Sequence, residues 1–523
     1  MRRSDQQEQP GRSRARVWVG GFAVAAVVLF ICYLRQSRTA ATGSDGASIT
    51  LQAWDMLHGN LLLHGWWLSD VSFYTTELPQ YMLVEAGYGL GTSVIHIAGA
   101  MTYTLLVLLA AFVARGRASG RDGLFRALLA GGIMLAPQLG SGTRTLLLSP
   151  DHTGTAVPAL LVLLLLDRAR PRWYVPVITG VLLAWTLVAD TIILVIVTVP
   201  LVIVCALRLY QGVARRREAW TAQWYELSLA AAAIASVPLA SVATYVIRLA
   251  DGWHINPLRT AFASSSMLHK NLWLTVQGLL ELFGADMFGQ GHGRGAVFAI
   301  IHLAGVVLAA WAIWIAVRRF FGSDLIVQVM VLAIILNTAA YAFGVQVSDI
   351  LSTREIAPVL PFAAVLAGRL LADRLLVGRV RVLVFPLGVV FACYIAILGF
   401  NAAQPAVPAQ YTGLTTWLVE HHLNSGVSGY SQANSVTLDS RGAVTLRPVT
   451  SRDGYIVPYQ WETNSGWYSP SQRYANYVVL NPAGPFEVSE RQAIATFGKP
   501  ARTYHYGGFT TLVWNENILA RMS

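Results

Sequence analysis

Apolar runs near twenty residues long recur along the chain, separated by polar connections. A run of that length is what a helix needs to cross a hydrocarbon layer ~30 Å thick. The pattern predicts eleven spans, near 17–34, 95–114, 124–141, 153–167, 174–189, 191–208, 224–248, 296–317, 325–345, 355–372 and 382–400. The run 175–210 is too long for one span, and Asp190 interrupts it near its middle. A charge at the bilayer centre costs ~2.5–3.5 kcal/mol on insertion scales, so Asp190 is expected at a turn between two helices. The first run follows an Arg-rich start and no small-residue cleavage site follows it, so it reads as a retained signal-anchor.

Beyond 400 the pattern changes. Residues 401–410 read as a linker, and 411–423 have helical spacing. Short strand-like runs follow at Val436–Leu438, Ala443–Val449, Tyr477–Leu480, Arg502–Tyr506 and Phe509–Trp514. A helix over Ser489–Phe497 takes Ser489 as its N-cap. The fold class predicted is an all-α polytopic membrane domain, 17–400, followed by a small α+β domain, 411–523.

Composition agrees. The chain is 55% hydrophobic and 12% charged, against roughly 25% charged in soluble domains. The net charge of +11 does not point to nucleic acid, because the arginines sit at alternate connections. They cluster within 2–16, 115–126, 168–172, 208–217, 318–319 and 369–381. The positive-inside rule makes that side cytoplasmic, residues 1–16 included. The other side then receives 35–94, 142–152, the Asp190 turn, 249–295, 346–354 and the C-terminal domain. Cys32, Cys205 and Cys393 all lie in apolar runs, so neither a disulfide nor a metal framework is implied. No Walker loop, dinucleotide fingerprint or G-x-S-x-G elbow occurs, which disfavours ATP-driven transport and serine hydrolysis.

The polar loop 35–94 is where chemistry is expected. Asp45 lies in a Gly/Ser-flanked turn, and 49–58 reads as an amphipathic helix lying along the membrane. A carboxylate held above the outer leaflet could act as general base toward a hydroxyl or amine. Other outer polar residues could line the same cavity: Asp70, Asp151, His152 and Lys270, one of two lysines in the chain. Lys270 could bind a phosphate or simply snorkel at the interface. Asp151 and His152 with Asp70 could hold a divalent ion, although no ligand spacing marks a metal site. The Tyr- and Trp-rich segment 455–474 suits carbohydrate or lipid headgroups, core packing, or the membrane interface.

The order of motifs in this loop resembles the first extracytoplasmic loop of the GT-C glycosyltransferases, the superfamily of protein O-mannosyltransferases and bacterial aminoarabinose transferases. The matching residues are Asp45, the helix ending at Met56-Leu57-His58-Gly59, and the run Tyr74-Thr75-Thr76-Glu77-Leu78-Pro79-Gln80-Tyr81. A second run, Arg354-Glu355-Ile356-Ala357-Pro358-Val359-Leu360-Pro361-Phe362, is similar to the start of a late helix in the same superfamily. The resemblance implies a many-helix domain with an outward cavity and a polyprenyl-phosphate-linked sugar as donor. It implies Asp45 and Glu77 as catalytic carboxylates, Tyr74 in the substrate-binding loop, and Arg354 as the holder of the donor phosphate. Two departures stand out: Gly46 where many relatives have a second acid, and Leu78 where aminoarabinose transferases have a lysine.

The combined expectation is a multi-pass glycosyltransferase of the bacterial cytoplasmic membrane. Its partners would be membrane lipids, the lipid-linked donor, and an envelope glycan, lipid or protein acceptor. Two other classes fit the composition: a non-catalytic envelope-binding assembly protein, and a lipid or solute transporter.

Overall fold

A computed structural model describes residues 10–522 except 149–151, 216–218, 257–259, 289–292, 377, 483 and 485–486. Each predicted span corresponds to a helix. Among the described residues seven are long and apolar enough to cross a bilayer, and counting a bent pair as one span brings the number to eight. The bend, 52°, separates Ile350–Ile356 from Val359–Leu376. It falls at Pro358, which lacks the N–H that would continue the helix. Asp190 caps Tyr174–Ala189, as its charge demanded.

The helices at the predicted spans 124–141, 153–167 and 174–189 are short for a full crossing. They are Gly120–Ile133, Ala156–Arg168 and Tyr174–Ala189, of 14, 13 and 16 residues. At ~1.5 Å per residue, none matches the ~30 Å hydrocarbon thickness when upright. Eleven is therefore the number of predicted apolar runs that form a helix rather than of full-length crossings.

The early end of Gly120–Ile133 leaves carbonyls 134–137 outside the helix, and side chains from neighbouring helices take them up. Tyr103 donates to the Met134 carbonyl at 2.8 Å and Tyr33 to that of Leu135 at 2.9 Å. His302 Nε2 lies 3.0 Å from the Ala136 oxygen. Gln36 and Asn401 donate to Pro137 at 2.8 and 2.9 Å. A carbonyl without a partner in a water-poor bundle costs several kcal/mol, so these bonds fix where the chain leaves the membrane. The next helix, Ser141–Leu147, is thereby positioned.

At the opposite end of Val359–Leu376, Arg369 donates to Asp167 at 2.7 Å and to Asp324 at 3.3 Å. Asp324 also caps Leu325–Phe343. Arg369, one of the arginines of the sequence pattern, thus doubles as a latch between helices.

In the C-terminal domain six strands lie in the order Tyr455–Pro458, Thr445–Arg452, Ser425–Ser428, Tyr477–Leu480, Phe509–Val513, Arg502–Tyr506. The second, third and fourth are parallel, and the outer pairings are antiparallel. The predicted strand Val436–Leu438 is instead part of the helix Tyr430–Asp439. Three apolar residues fit either period, and here the helix crosses over between parallel strands. The Ser489 cap is present, with Gln492 completing a capping box.

A second, small sheet joins distant parts of the chain. Trp66–Leu68 pairs in parallel with His254–Ile255 and antiparallel with Thr463–Asn464. Trp66 meets Trp467 edge-on at 5.0 Å. The first loop, the 249–264 connection and the C-terminal domain are therefore stitched together.

Tyr103→Phe is expected to lower stability by about 1–3 kcal/mol, since it orphans the buried Met134 carbonyl. Thermal unfolding in detergent checks this; an unchanged midpoint would remove the assigned role of that bond.

Candidate active site

The helix Ser44–Leu57 starts earlier than predicted, so Asp45 lies in its first turn rather than in a loop before it. A carboxylate there is favoured by the helix dipole. Both of its oxygens are engaged. Oδ2 accepts from Arg354 Nη1 at 3.1 Å, and Oδ1 from the Tyr430 hydroxyl at 2.8 Å. Tyr430 also bonds Glu462 Oε2. Tyr430 begins the helix Tyr430–Asp439, which packs on Ser44–Leu57. Arg354 rides on the short turn Ile350–Ile356, which is held by Asp349 in a capping box with Ser352.

A cavity of about 410 Å³ opens beside this pair, lined among others by Asp45, Gly46, Arg144, Thr145, Arg354 and Gln410. Arg144 is exposed on Ser141–Leu147 and has no ion-pair partner among the described residues. The cavity thus has one carboxylate and two guanidinium groups at its wall, a donor set suited to an anionic phosphate.

Next to Arg354 is a second polar group. His152 Nδ1 is 2.7 Å from Asp190 Oδ2, and its Nε2 is 2.9 Å from Glu355 Oε2. Thr155 donates to the same Asp190 oxygen at 2.5 Å. Burial alone would push the His152 pKa down, but the two carboxylates overcome it and hold the ring well above its ordinary value. Both ring nitrogens are taken, so the imidazole serves here as an ion-pair partner with no lone pair for a metal. Asp70 shares this neighbourhood. Burial and then Glu355 raise its pKa, against His152 and Arg354. His152 has φ 58° and Glu462 has φ 50°. Left-handed backbone costs such residues about 1–3 kcal/mol and persists where the surroundings enforce it.

The other expected site residues fall elsewhere. Glu77 begins the helix Glu77–Tyr88, is 3% exposed, and bonds the Thr76 hydroxyl. It packs so closely on the 152–155 turn that a Cβ at Gly154 would lie 1.8 Å from its Oε1. Glu77 therefore supports the turn that carries His152 and is not among the residues lining the cavity. Tyr74 donates to the Leu61 carbonyl at 3.0 Å and leans on Trp253, which braces the loop rather than the cavity. Lys270 is exposed on Ser265–Leu282, with no partner among the described residues. Asp151 lies outside the described residues.

The two departures have packing reasons. A Cβ at Gly46 would press to 3.2 Å on Ile95, and Leu78 is fully buried. Sequence reasoning passed over Arg144, Tyr430 and Glu462. Arg144 carried a signal, being an arginine in an outer connection where the positive-inside pattern expects few. Tyr430 and Glu462 carried none, since only the tertiary fold brings them to Asp45.

Because the His152 pKa is raised, its ion pairs stabilise the fold fully below about pH 6.5 and lose that contribution as pH rises through the raised value. The unfolding-midpoint gap between wild type and His152→Gln should be widest near about pH 6 and narrow toward alkaline pH. A gap that widens with pH would contradict the ion-pair triad. Asp190→Asn should cost about 3–5 kcal/mol, as for a buried pair stripped of one partner.

No family model matches the chain, and no curated protein matches it by sequence. Solved structures do. The apo form of ArnT from Cupriavidus metallidurans is similar at TM-score 0.58 and 14% identity, covering 98% of this chain and 99% of that one. ArnT from the same organism bound to undecaprenyl phosphate is similar at TM-score 0.55 and 13% identity, covering 95% and 98%. At such identities the likeness is one of fold, and it extends over helices and C-terminal domain alike. The protein is a multi-pass membrane protein with the fold of the GT-C glycosyltransferases.

Proposed function

We propose that this protein is a membrane glycosyltransferase that moves a sugar from a polyprenyl-phosphate donor to an envelope acceptor. The carrying observation is the Asp45–Arg354 pair at the wall of a cavity that also presents Arg144. In the proposed step the acceptor oxygen or nitrogen attacks the anomeric carbon. The bond from that carbon to the phosphate oxygen breaks, and its electron pair stays on the phosphate. The leaving lipid phosphate gains a negative charge, which Arg354 and Arg144 neutralise. Asp45 takes the acceptor's proton. Attack and departure on opposite faces invert the anomeric configuration.

Arg354 is held by Asp45 in this structure. A donor phosphate that draws the guanidinium away leaves the carboxylate less neutralised and more basic, which couples donor binding to activation of the base. ArnT bound to undecaprenyl phosphate makes a polyprenyl phosphate the natural first donor carrier to try. We place the cavity and C-terminal domain on the outer face of a bacterial cytoplasmic membrane, an orientation that the alternating arginines support. The sugar and the acceptor are left to the assay.

Purified protein in detergent, given labelled polyprenyl-phosphate sugars, should transfer or slowly hydrolyse one of them. Asp45→Asn should lower kcat about 10²–10⁴-fold, the range for loss of a general base. Arg354→Ala should lower it about 10²–10³-fold. Full turnover by Asp45→Asn would remove Asp45 from the role of base.

A further inference from the structure

We propose that the crevice between the helices Gly120–Ile133, Arg294–Arg318 and Val384–Ala402 holds one anionic glycerophospholipid whose headgroup bears a hydroxyl. Its phosphate lies at Arg294 and an acyl chain lies down the crevice. The site shares no lining residue with the Asp45 cavity and does not depend on the glycosyltransfer reading.

The crevice has a structural origin. Gly120–Ile133 stops after 14 residues, while its neighbours run for 25 and 19. Two cavities occupy the space between the three. One, of about 300 Å³, lies at the end of the bundle that leads into the C-terminal domain. Gln138, Arg294, Phe298, Phe400, Asn401 and Gln404 are among its lining residues. The other, of about 210 Å³, lies deeper, against Ile133, Gly305, Gly388, Val390, Phe391 and Tyr394 among others. Every side chain lining it except Tyr394 is apolar. The two are neighbours, because the His302 ring at the wall of the first stacks on the Tyr394 ring at the wall of the second, 4.4 Å between centres. From Phe400 to Val390 is ten residues of one helix, about 15 Å. That is half of the ~30 Å hydrocarbon core, the depth of a single leaflet. A polar chamber over an apolar one, at that spacing, has the shape of a lipid rather than of a free ion.

The polar chamber states what headgroup it takes. Arg294 is exposed, lies over the Phe400 ring at 5.9 Å, and has no ion-pair partner among the described residues. A guanidinium in that state suits a phosphate. Its helix begins there with no side chain capping the first turn, so open N–H groups and the helix dipole add to the pull on an anion. Asn401 is 1% exposed and donates through Nδ2 to the Pro137 carbonyl at 2.9 Å. Its Oδ1 has no donor among the described residues. A buried amide oxygen left in that state is costly, and a headgroup hydroxyl supplies the missing donor. Gln138 and Gln404 already donate to the carbonyls of Asp286 and Phe400, at 2.6 and 3.0 Å. Arg294 and Asn401 are thus the two groups that choose the ligand. A glycerol headgroup answers both, whereas a choline headgroup has no hydrogen to donate and cancels the charge of its phosphate.

The test is native mass spectrometry of the full-length protein, stripped of lipid in detergent. It is titrated separately with phosphatidylglycerol, phosphatidylcholine, diacylglycerol, polyprenyl phosphate and inorganic phosphate. One phosphatidylglycerol should bind at least about tenfold more tightly than phosphatidylcholine or diacylglycerol, the size of a hydrogen bond to a charged group. Arg294→Gln should erase that preference. Gly388→Phe tests the chain: a Cβ at Gly388 meets nothing within 4 Å, so the ring enters the deeper cavity rather than the bundle. It should weaken phosphatidylglycerol about tenfold, on the scale of burying one large apolar side chain. Both variants should keep the lipid-free unfolding midpoint of the wild type, and added phosphatidylglycerol should raise that midpoint only in the wild type. Asp45→Asn should bind the lipid as the wild type does, whatever its effect on sugar transfer.

Phosphatidylglycerol binding unchanged in Arg294→Gln or in Gly388→Phe overturns the inference, as a lipid merely adhering to the bundle would behave so. Phosphatidylcholine bound as tightly as phosphatidylglycerol removes the headgroup assignment. Polyprenyl phosphate bound more tightly, and lost in Arg294→Gln, gives the crevice to a different lipid and overturns it equally. So does inorganic phosphate that displaces phosphatidylglycerol at equal concentration, since the chain then contributes nothing.

Discussion

The carboxylate of Asp45 is held on one oxygen by Arg354 and on the other by Tyr430, and the geometry of the cavity depends on that double hold. The partners are 309 and 385 residues away in the chain. Side chains so far apart meet only if the elements carrying them are already fixed, because closing such loops costs chain entropy that two part-buried bonds cannot offset. Asp45 and Arg354 are both partly exposed, so their ion pair follows from the fold rather than drives it.

What fixes the elements is hydrocarbon on one side and pairing on the other. Inside the bundle, the carbonyls freed at 134–137 are taken up by Tyr103, Tyr33, His302, Gln36 and Asn401. That convergence determines where Arg144 emerges. The Pro358 bend determines where Arg354 does. Above the bundle, the small sheet through Trp66–Leu68 does the same for the C-terminal domain and so for Tyr430. Three separate constraints thus deliver a carboxylate, two cations and a phenol to one place.

Much of this was legible in the sequence because the membrane is a severe solvent. Apolar length located a helix for each predicted span, and the cost of a buried charge put Asp190 at a turn. Asp45 and Arg354 could be named, although only a resemblance linked them. Other features escaped for physical reasons. Helix length cannot be read when an apolar run continues past the point where backbone bonding stops, as it does at Ile133. A short run such as 436–438 satisfies either period, so the helix that carries Tyr430 was taken for a strand. The motif containing Glu77 was visible, but its burial against Gly154 was not. Proximity between Glu462 and Asp45 has no local signature at all.

The stitched sheet also has a consequence for how the protein is made. Ribosomes deliver the chain from its N-terminus, so the loop with Asp45 and the bend with Arg354 emerge long before Tyr430 and Glu462. Thr463 and Asn464 are the last strand added to the sheet with Trp66–Leu68 and His254–Ile255. Until they arrive, the carboxylate lacks its phenol and the loop lacks its outer edge. A nascent chain already inserted through its helices is thus a membrane protein without a finished site. Biosynthesis itself withholds the joint arrangement of Asp45, Arg354 and Tyr430 until the final domain has folded.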